Sequence, residues 1–302
     1  MSESKLAIKV DVDTWLGTRD GVPRIRHLLD VRGVPASFYL SLGPDRSGRA
    51  VWRIFHRRGF LAKMLRTRAP GAYGLRTLLY GTVLPAPLIG RGRELMVRRL
   101  MRAGHEAGLH AWDHVDWHDR LWRMNPAEVR AEVDRGVEAF SCLAGDPPSG
   151  FAAPAWRISA PAAQALKASG LTYMSATRGR GPYWPVIEGQ AVGLLEIPTT
   201  LPTADEVLGR EGLTPDNLDD FFLERILDPG LHVLTVHAEM EGRALAPAFA
   251  RLLDGCLKHG VTFVRLIDLA GECLKNPSAL PLSEVVALDV PGRAGRVSHQ
   301  KT

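Results

Sequence analysis

Hydrophobic positions along the chain follow two alternating rhythms. Leu6-Ala7-Ile8 continues into Val10-Asp11-Val12-Asp13-Thr14, a short apolar run of the kind that forms a strand buried on both faces. Ile25, Leu28 and Leu29 then recur at helical spacing, Gly33 closes that helix, and Ala36-Ser37-Phe38-Tyr39-Leu40 is a second strand. The same reading predicts strands over 105–110, 150–153, 171–176, 195–197, 232–236 and 261–264. Helices are predicted over 94–103, 161–169, 216–227, 249–259 and 267–274. A further helix starts at Asn125-Pro126-Ala127-Glu128, with Asn as cap, Pro at the first position and Glu at the third. Strand–helix alternation implies an α/β fold with a parallel sheet. Charged residues at strand ends (Asp11, Asp13, His110, His237) favour a (β/α) barrel over a doubly wound sheet. After Asn276 the periodicity fades, so a single domain over 1–275 and a mobile tail over 276–302 are expected.

The rhythm breaks over residues 46–93. Trp52, Phe55, Phe60 and Leu61 are interleaved there with Arg53, Arg57, Arg58 and Lys63, the pattern of a helical, amphipathic insertion. That segment holds eleven Arg or Lys and no acidic residue, whereas the chain as a whole has 38 basic and 33 acidic residues. Outside the segment 27 bases face 33 acids, so the basicity is local. It argues against nucleic-acid binding and for one basic face toward an anionic membrane surface. A helical lid with solvated arginines is the alternative.

The remaining composition narrows the picture further. No run is long enough to cross a bilayer, and the first strand begins too early to leave room for a signal peptide, so a cytoplasmic protein is expected. Cys142, Cys256 and Cys273 are scattered and fit neither disulfides nor a zinc knot.

The candidate chemistry begins at Asp11 and Asp13, two apart on one strand and therefore on one face. Paired, desolvated carboxylates require a cation or a shared proton. His110 and His114 lie four apart after a strand, and their imidazoles can close on one ion if the loop coils as a helical turn. Two His and one Asp form a set that binds a divalent metal and leaves positions open, as in catalytic zinc sites and also in Fe(II) oxygenases. His237 ends an apolar strand, with Glu239 and Glu241 close behind to raise its pKa.

Asp11-Val12-Asp13, His110 with His114, Phe151-Ala152-Ala153-Pro154-Ala155-Trp156-Arg157 and the strand-end His237 resemble, in order and spacing, the motifs of the polysaccharide deacetylases, the NodB-homology family. The likeness runs from Asp11 to about Leu274. It is greatest to members that deformylate an undecaprenyl-phosphate-linked 4-formamido-arabinose, through Gly17-Thr18-Arg19, Gly108 to His114, Ile197 to Thr203 and His237 to Gly242. The resemblance implies a distorted (β/α) TIM-like barrel acting as an amide hydrolase on a lipid-linked amino sugar, at the inner face of the cytoplasmic membrane. It implies Asp13, His110 and His114 as ligands of a divalent metal (zinc first; Mn, Co, Ni or Fe otherwise), Asp11 as base and His237 as acid. A backbone N–H near Trp156 would serve the oxyanion. A soluble deacetylase of another acylated amino sugar is the second reading. Two family residues are missing. An Arg that braces the base is replaced by Ala152, leaving Arg157 or Arg178 to take its duty. An Asp that supports the acid is replaced within Ser175-Ala176-Thr177, leaving Glu239 or Glu241.

Overall fold

A computed structural model describes residues 4–52, 77–293 and 295–301. The barrel strands are β1 (Ser4–Val12), β2 (Ser37–Leu40), β3 (Glu106–Leu109), β4 (Gly150–Ala152) and β5 (Tyr173–Ser175). After a hairpin, β6 (Trp184–Ile187) and β7 (Gln190–Ala191), come β8 (Leu195–Glu196), β9 (Gly230–His237) and β10 (Thr262–Val264). The parallel sheet runs β10-β1-β2-β3-β4-β5-β8, and β9 also pairs with β1. Between β8 and β9 the wall is completed by a loop, where Thr200 and Leu201 N–H donate to Val233 O at 3.1 and 3.3 Å. The result is the distorted barrel that the strand–helix alternation predicts.

Two apolar layers hold it. Leu6, Ile8, Val10 and Val12 of β1 pack outward with Val22, Ile25 and Leu29 of α1 (Val22–Asp30). Inside the curve, Ala7, Tyr39, Ala152, Tyr173, Leu195 and Val233 meet Leu266 and Leu269. Burying each such aliphatic or aromatic side chain contributes roughly 1.5–3 kcal/mol. The tyrosines inside are bonded: Tyr39 and Tyr173 share a hydrogen bond of 2.6 Å, and Tyr173 also bonds Glu106.

The residues after Asn276 depart from expectation. Instead of a mobile tail they form β11 (Leu282–Asp289) and β12 (Arg296–Gln300), which join β6 and β7 in a second sheet of order β12-β11-β6-β7. Val297 and Ser298 are buried. Arg178 N–H donates to Ser298 O at 2.9 Å and Gln300 N–H to Arg178 O at 2.7 Å, which fixes this sheet to the loop after β5. Its two hairpins are joined by one distant parallel pairing, Trp184 to Ile187 against Leu282 to Val285, which no local periodicity announces. Arg53, Arg57, Arg58 and Lys63 lie outside the described residues. Among the described residues no helix is long and apolar enough to cross a membrane.

Candidate active site

The C-terminal ends of β1, β3 and β9 converge on one rim. His110 follows β3, and His114 is the first residue of α2 (His114–Arg120), capped by Asp113, whose side chain accepts from Val115 and Asp116 N–H. The connection is not a helical turn: Ala111 adopts φ 71°, left-handed backbone that a non-glycine residue rarely takes. Glu132 of α3 (Pro126–Ala144) accepts the Asp113 N–H at 2.5 Å and pins the loop. The two imidazoles then stack with centroids 5.4 Å apart.

Asp13 faces both. Its Oδ1 lies 3.2 Å from His110 Nε2 and its Oδ2 3.5 Å from His114 Nε2. One ligand atom from each of the three residues falls within 4.8 Å of the others. Asp13 Oδ1 is buried without a hydrogen bond, as are Asp11 Oδ1 and His110 Nδ1. Buried polar atoms left in this way are costly, and a divalent cation between two imidazoles and a carboxylate removes the cost, so these residues fit a metal. Burial opposes the charge on Asp13, but His114, His110 and His237 hold its carboxyl below the usual carboxylate range.

Asp11 and His237 are directly paired in the β1–β9 register, so both side chains leave the sheet on one face. Burial lowers the His237 imidazolium, yet Asp205, Asp13, Glu241 and Asp11 outweigh it and raise its pKa. Glu241 acts from the backbone side, where its Oε2 accepts the His237 N–H at 2.8 Å. Glu239 serves the first loop instead: its Oε1 accepts from Asp13 N–H at 3.1 Å, from Thr14 N–H at 2.8 Å and from Thr14 Oγ1 at 2.7 Å. A Cβ on Gly17 would sit 1.9 Å from that oxygen, and one on Gly21 would meet Ala238 O at 2.0 Å. Only glycine allows the loops after β1 and β9 to interlock so closely.

The cation beside Asp11 is neither Arg157 nor Arg178. Arg157 donates to His118 O, its guanidinium 4.4 Å from the Trp122 ring, and Arg178 pairs with Glu206 at 2.8 Å. Lys9, fully buried on β1, takes the place: its Nζ lies 3.4 Å from Asp11 Oδ2 and donates to Ser175 O at 3.2 Å. Burial pushes the ammonium pKa down, while Asp11 and Glu196 oppose that shift. Lys9 and Asp205 escaped the sequence reading. The signal for Lys9 was a cation two residues before Asp11 on the same strand; Asp205 carried none. Trp156 is buried, with φ 50° after Ala155 at φ 55°. Its N–H donates to Ala153 O at 3.1 Å.

Residues 2–174 match the family model described as polysaccharide deacetylase. The chain belongs to that family. The deacetylase is therefore a hydrolase acting on amide carbon–nitrogen bonds. It is 36% identical over 297 residues, 98% of this chain and 95% of the relative, to a Shewanella sediminis protein named "Probable 4-deoxy-4-formamido-L-arabinose-phosphoundecaprenol deformylase ArnD". A Wigglesworthia glossinidia brevipalpis protein of the same name is 31% identical over 288 residues, 95% of this chain and 99% of its own. A crystal structure of a Mycobacterium smegmatis protein described as a polysaccharide deacetylase shares the fold, with a TM-score of 0.65 at 20% identity over 96% of both chains.

Proposed function

We propose that this deacetylase removes the formyl group, or an acetyl group in its place, from the amino sugar of an undecaprenyl-phosphate-linked 4-amino-4-deoxy-arabinose substrate. The substrate class rests on the likeness to the two ArnD relatives over nearly the whole chain. The observation that carries the chemistry is the in-register pair Asp11 and His237 beside the Asp13, His110 and His114 cluster.

In this reading Asp13, His110 and His114 hold a divalent ion, zinc by donor set. When bound, the ion polarises the amide carbonyl and acidifies water. Lys9 engages Asp11 Oδ2, so Oδ1, which accepts no hydrogen bond and lies 3.9 Å from His110 Nδ1, is the oxygen that accepts a proton from the attacking water. His237, its protonated form favoured by the surrounding carboxylates, delivers a proton to the departing amine nitrogen, which is a poor leaving group without one. Glu239 and Glu241 hold the two loops in place rather than touching the reacting atoms.

The basic segment 46–93 brings the rim to an anionic membrane surface, where a lipid-linked sugar sits. Leu79, Val83 and Leu88, on its described flank, are exposed and add apolar contact.

The test is to offer formylated and acetylated amino sugars, lipid-linked and free, to metal-loaded protein and to measure released amine. Turnover of the lipid-linked formamide is expected. Turnover of only a free acetylated sugar would move the soluble deacetylase reading ahead. Asp13→Ala, His110→Ala and His114→Ala should each lower metal content and activity together, and stoichiometric metal in the triple variant would remove this site from consideration.

A further inference from the structure

The second sheet places one more cation at the active-site rim. Between β11 and β12 the chain turns at Gly292, with φ 85°, and approaches α4 (Ala204–Val207) so closely that a Cβ there would lie 2.1 Å from Glu206 O. This contact delivers Arg293 to the Trp156 indole, with its guanidinium 4.4 Å from the ring centroid. Arg178 lies 5.1 Å from the same ring, and the indole stands edge-on to His237 with ring centroids 6.5 Å apart.

The hydrogen bonds of this cluster are unevenly shared. Glu206 Oε1 accepts from Arg178 Nη1 at 2.8 Å and from Arg293 Nη1 at 3.3 Å. Its Oε2 accepts from Arg178 Nη1 at 3.1 Å and from Thr203 N–H at 3.0 Å. A carboxylate has about four acceptor sites, so Glu206 is saturated. Arg178 gives its other terminal nitrogen to Leu201 O at 2.7 Å. The Arg293 side chain makes one long bond among the described residues and keeps 11% exposure. Most of a five-donor fork thus remains uncommitted at the edge of the site. Asp205, the neighbouring carboxylate, acts on Arg178 and His237.

We propose that Arg293, backed by Arg178 and stacked on Trp156, binds the phosphate group of a sugar phosphate whose amide lies at His237. The inference rests on the amide-hydrolase reading above and adds to it a way of reading the substrate. A planar guanidinium pairs with a phosphate through two parallel N–H···O bonds, and a saturated Glu206 offers Arg293 no second acceptor in competition. Trp156 separates Arg293 from His237 by the breadth of one indole, a spacing suited to a sugar ring with its acylamino group at one end and its phosphate at the other. The simpler alternative is that Arg293 only clamps the second sheet to α4.

The two readings give opposite signs. Calorimetric titration of the full-length protein would use L-arabinose 1-phosphate, L-arabinose and inorganic phosphate as probes, for wild type, Arg293→Gln and Glu206→Gln. Wild type should prefer the sugar 1-phosphate to the neutral sugar by roughly tenfold or more, and Arg293→Gln should lower that preference by about tenfold. Glu206→Gln, which releases Arg293, should raise it. An unchanged preference in Arg293→Gln overturns the proposal. So do equal losses of preference in both variants, which mark a clamp. Inorganic phosphate binding as tightly as the sugar phosphate also overturns it, as a general anion site. Melting temperatures of both variants separate unfolding from lost contact. Because these probes carry no amide and only binding is read, this result stands apart from the amine-release assay, whose failure would count against the hydrolase reading alone.

Discussion

Asp11 and His237 stand opposite each other on parallel strands, the C-terminal part of β1 against that of β9. Their separation is set by sheet geometry rather than by loops, so both groups face the rim from a rigid base. Asp11→Asn and His237→Ala should each keep bound metal yet lose roughly 10²–10⁴-fold in kcat. The His237 loss should shrink for amides with good leaving groups. Because the His237 pKa is raised, its proton is retained above the ordinary value of 6.5 and lost only at higher pH. The alkaline limb of kcat against pH should therefore disappear in His237→Ala. Near-normal rates in both variants would show that other residues move the protons.

Lys9 offers a test by coupling. Lys9→Met leaves Asp11 in the interior without its cation and should cost about 3–5 kcal/mol of stability in urea denaturation. Adding Asp11→Asn removes the second charge, so the double variant should lose clearly less than the sum of the two single losses. Additive losses would mean that the pair does not interact. Lys9→Arg should retain part of the turnover.

Glu132 makes the loop between the two histidines pH-sensitive. Burial pushes its carboxyl up to about 7, against the bond from Asp113 N–H. The folded state therefore holds a proton that the unfolded chain releases near 4.5, and its contribution is full below that pH and lost as pH rises through about 7. Relative to Glu132→Gln, wild type should lose on the order of 1–3 kcal/mol between pH 5 and 8. A difference that does not vary with pH would contradict this.

Vesicle sedimentation addresses the basic segment. Wild type should bind anionic vesicles at low salt, and salt should weaken that binding without abolishing it. Arg53/Arg57/Arg58/Lys63→Glu should remove most of it. Indifference of wild type to anionic vesicles at low salt would assign the segment to a lid.

Much of the barrel and of the Asp13, His110 and His114 cluster was legible because their signals are local. Asp11 lies on β1 and Asp13 just past its end, and Asn125 with Glu128 makes the capping box that the sequence announces. Lys9 was missed because β1 is buried on both sides: its run of apolar residues has no alternation to show that one face looks into the barrel. The second sheet was missed because its hairpins are held together where Trp184 pairs with Leu282 and Ile187 with Val285, contacts decided by packing rather than by short-range pattern. Arg157 or Arg178 was expected to brace Asp11, but Arg157 turns to His118 O and Arg178 to Glu206, a partner 28 residues away in sequence.

The interlocked glycines have a consequence for how such a protein can change. Gly17 against Glu239, Gly21 against Ala238 and Gly242 against Gly21 leave no space for a single added carbon, so the two loops that follow the strands of the proposed acid and base must vary together or not at all. Arg293, on the second sheet, takes no part in that interlock. Directed evolution toward a new sugar or carrier should therefore collect its substitutions in the second sheet, leaving the reaction itself inherited intact.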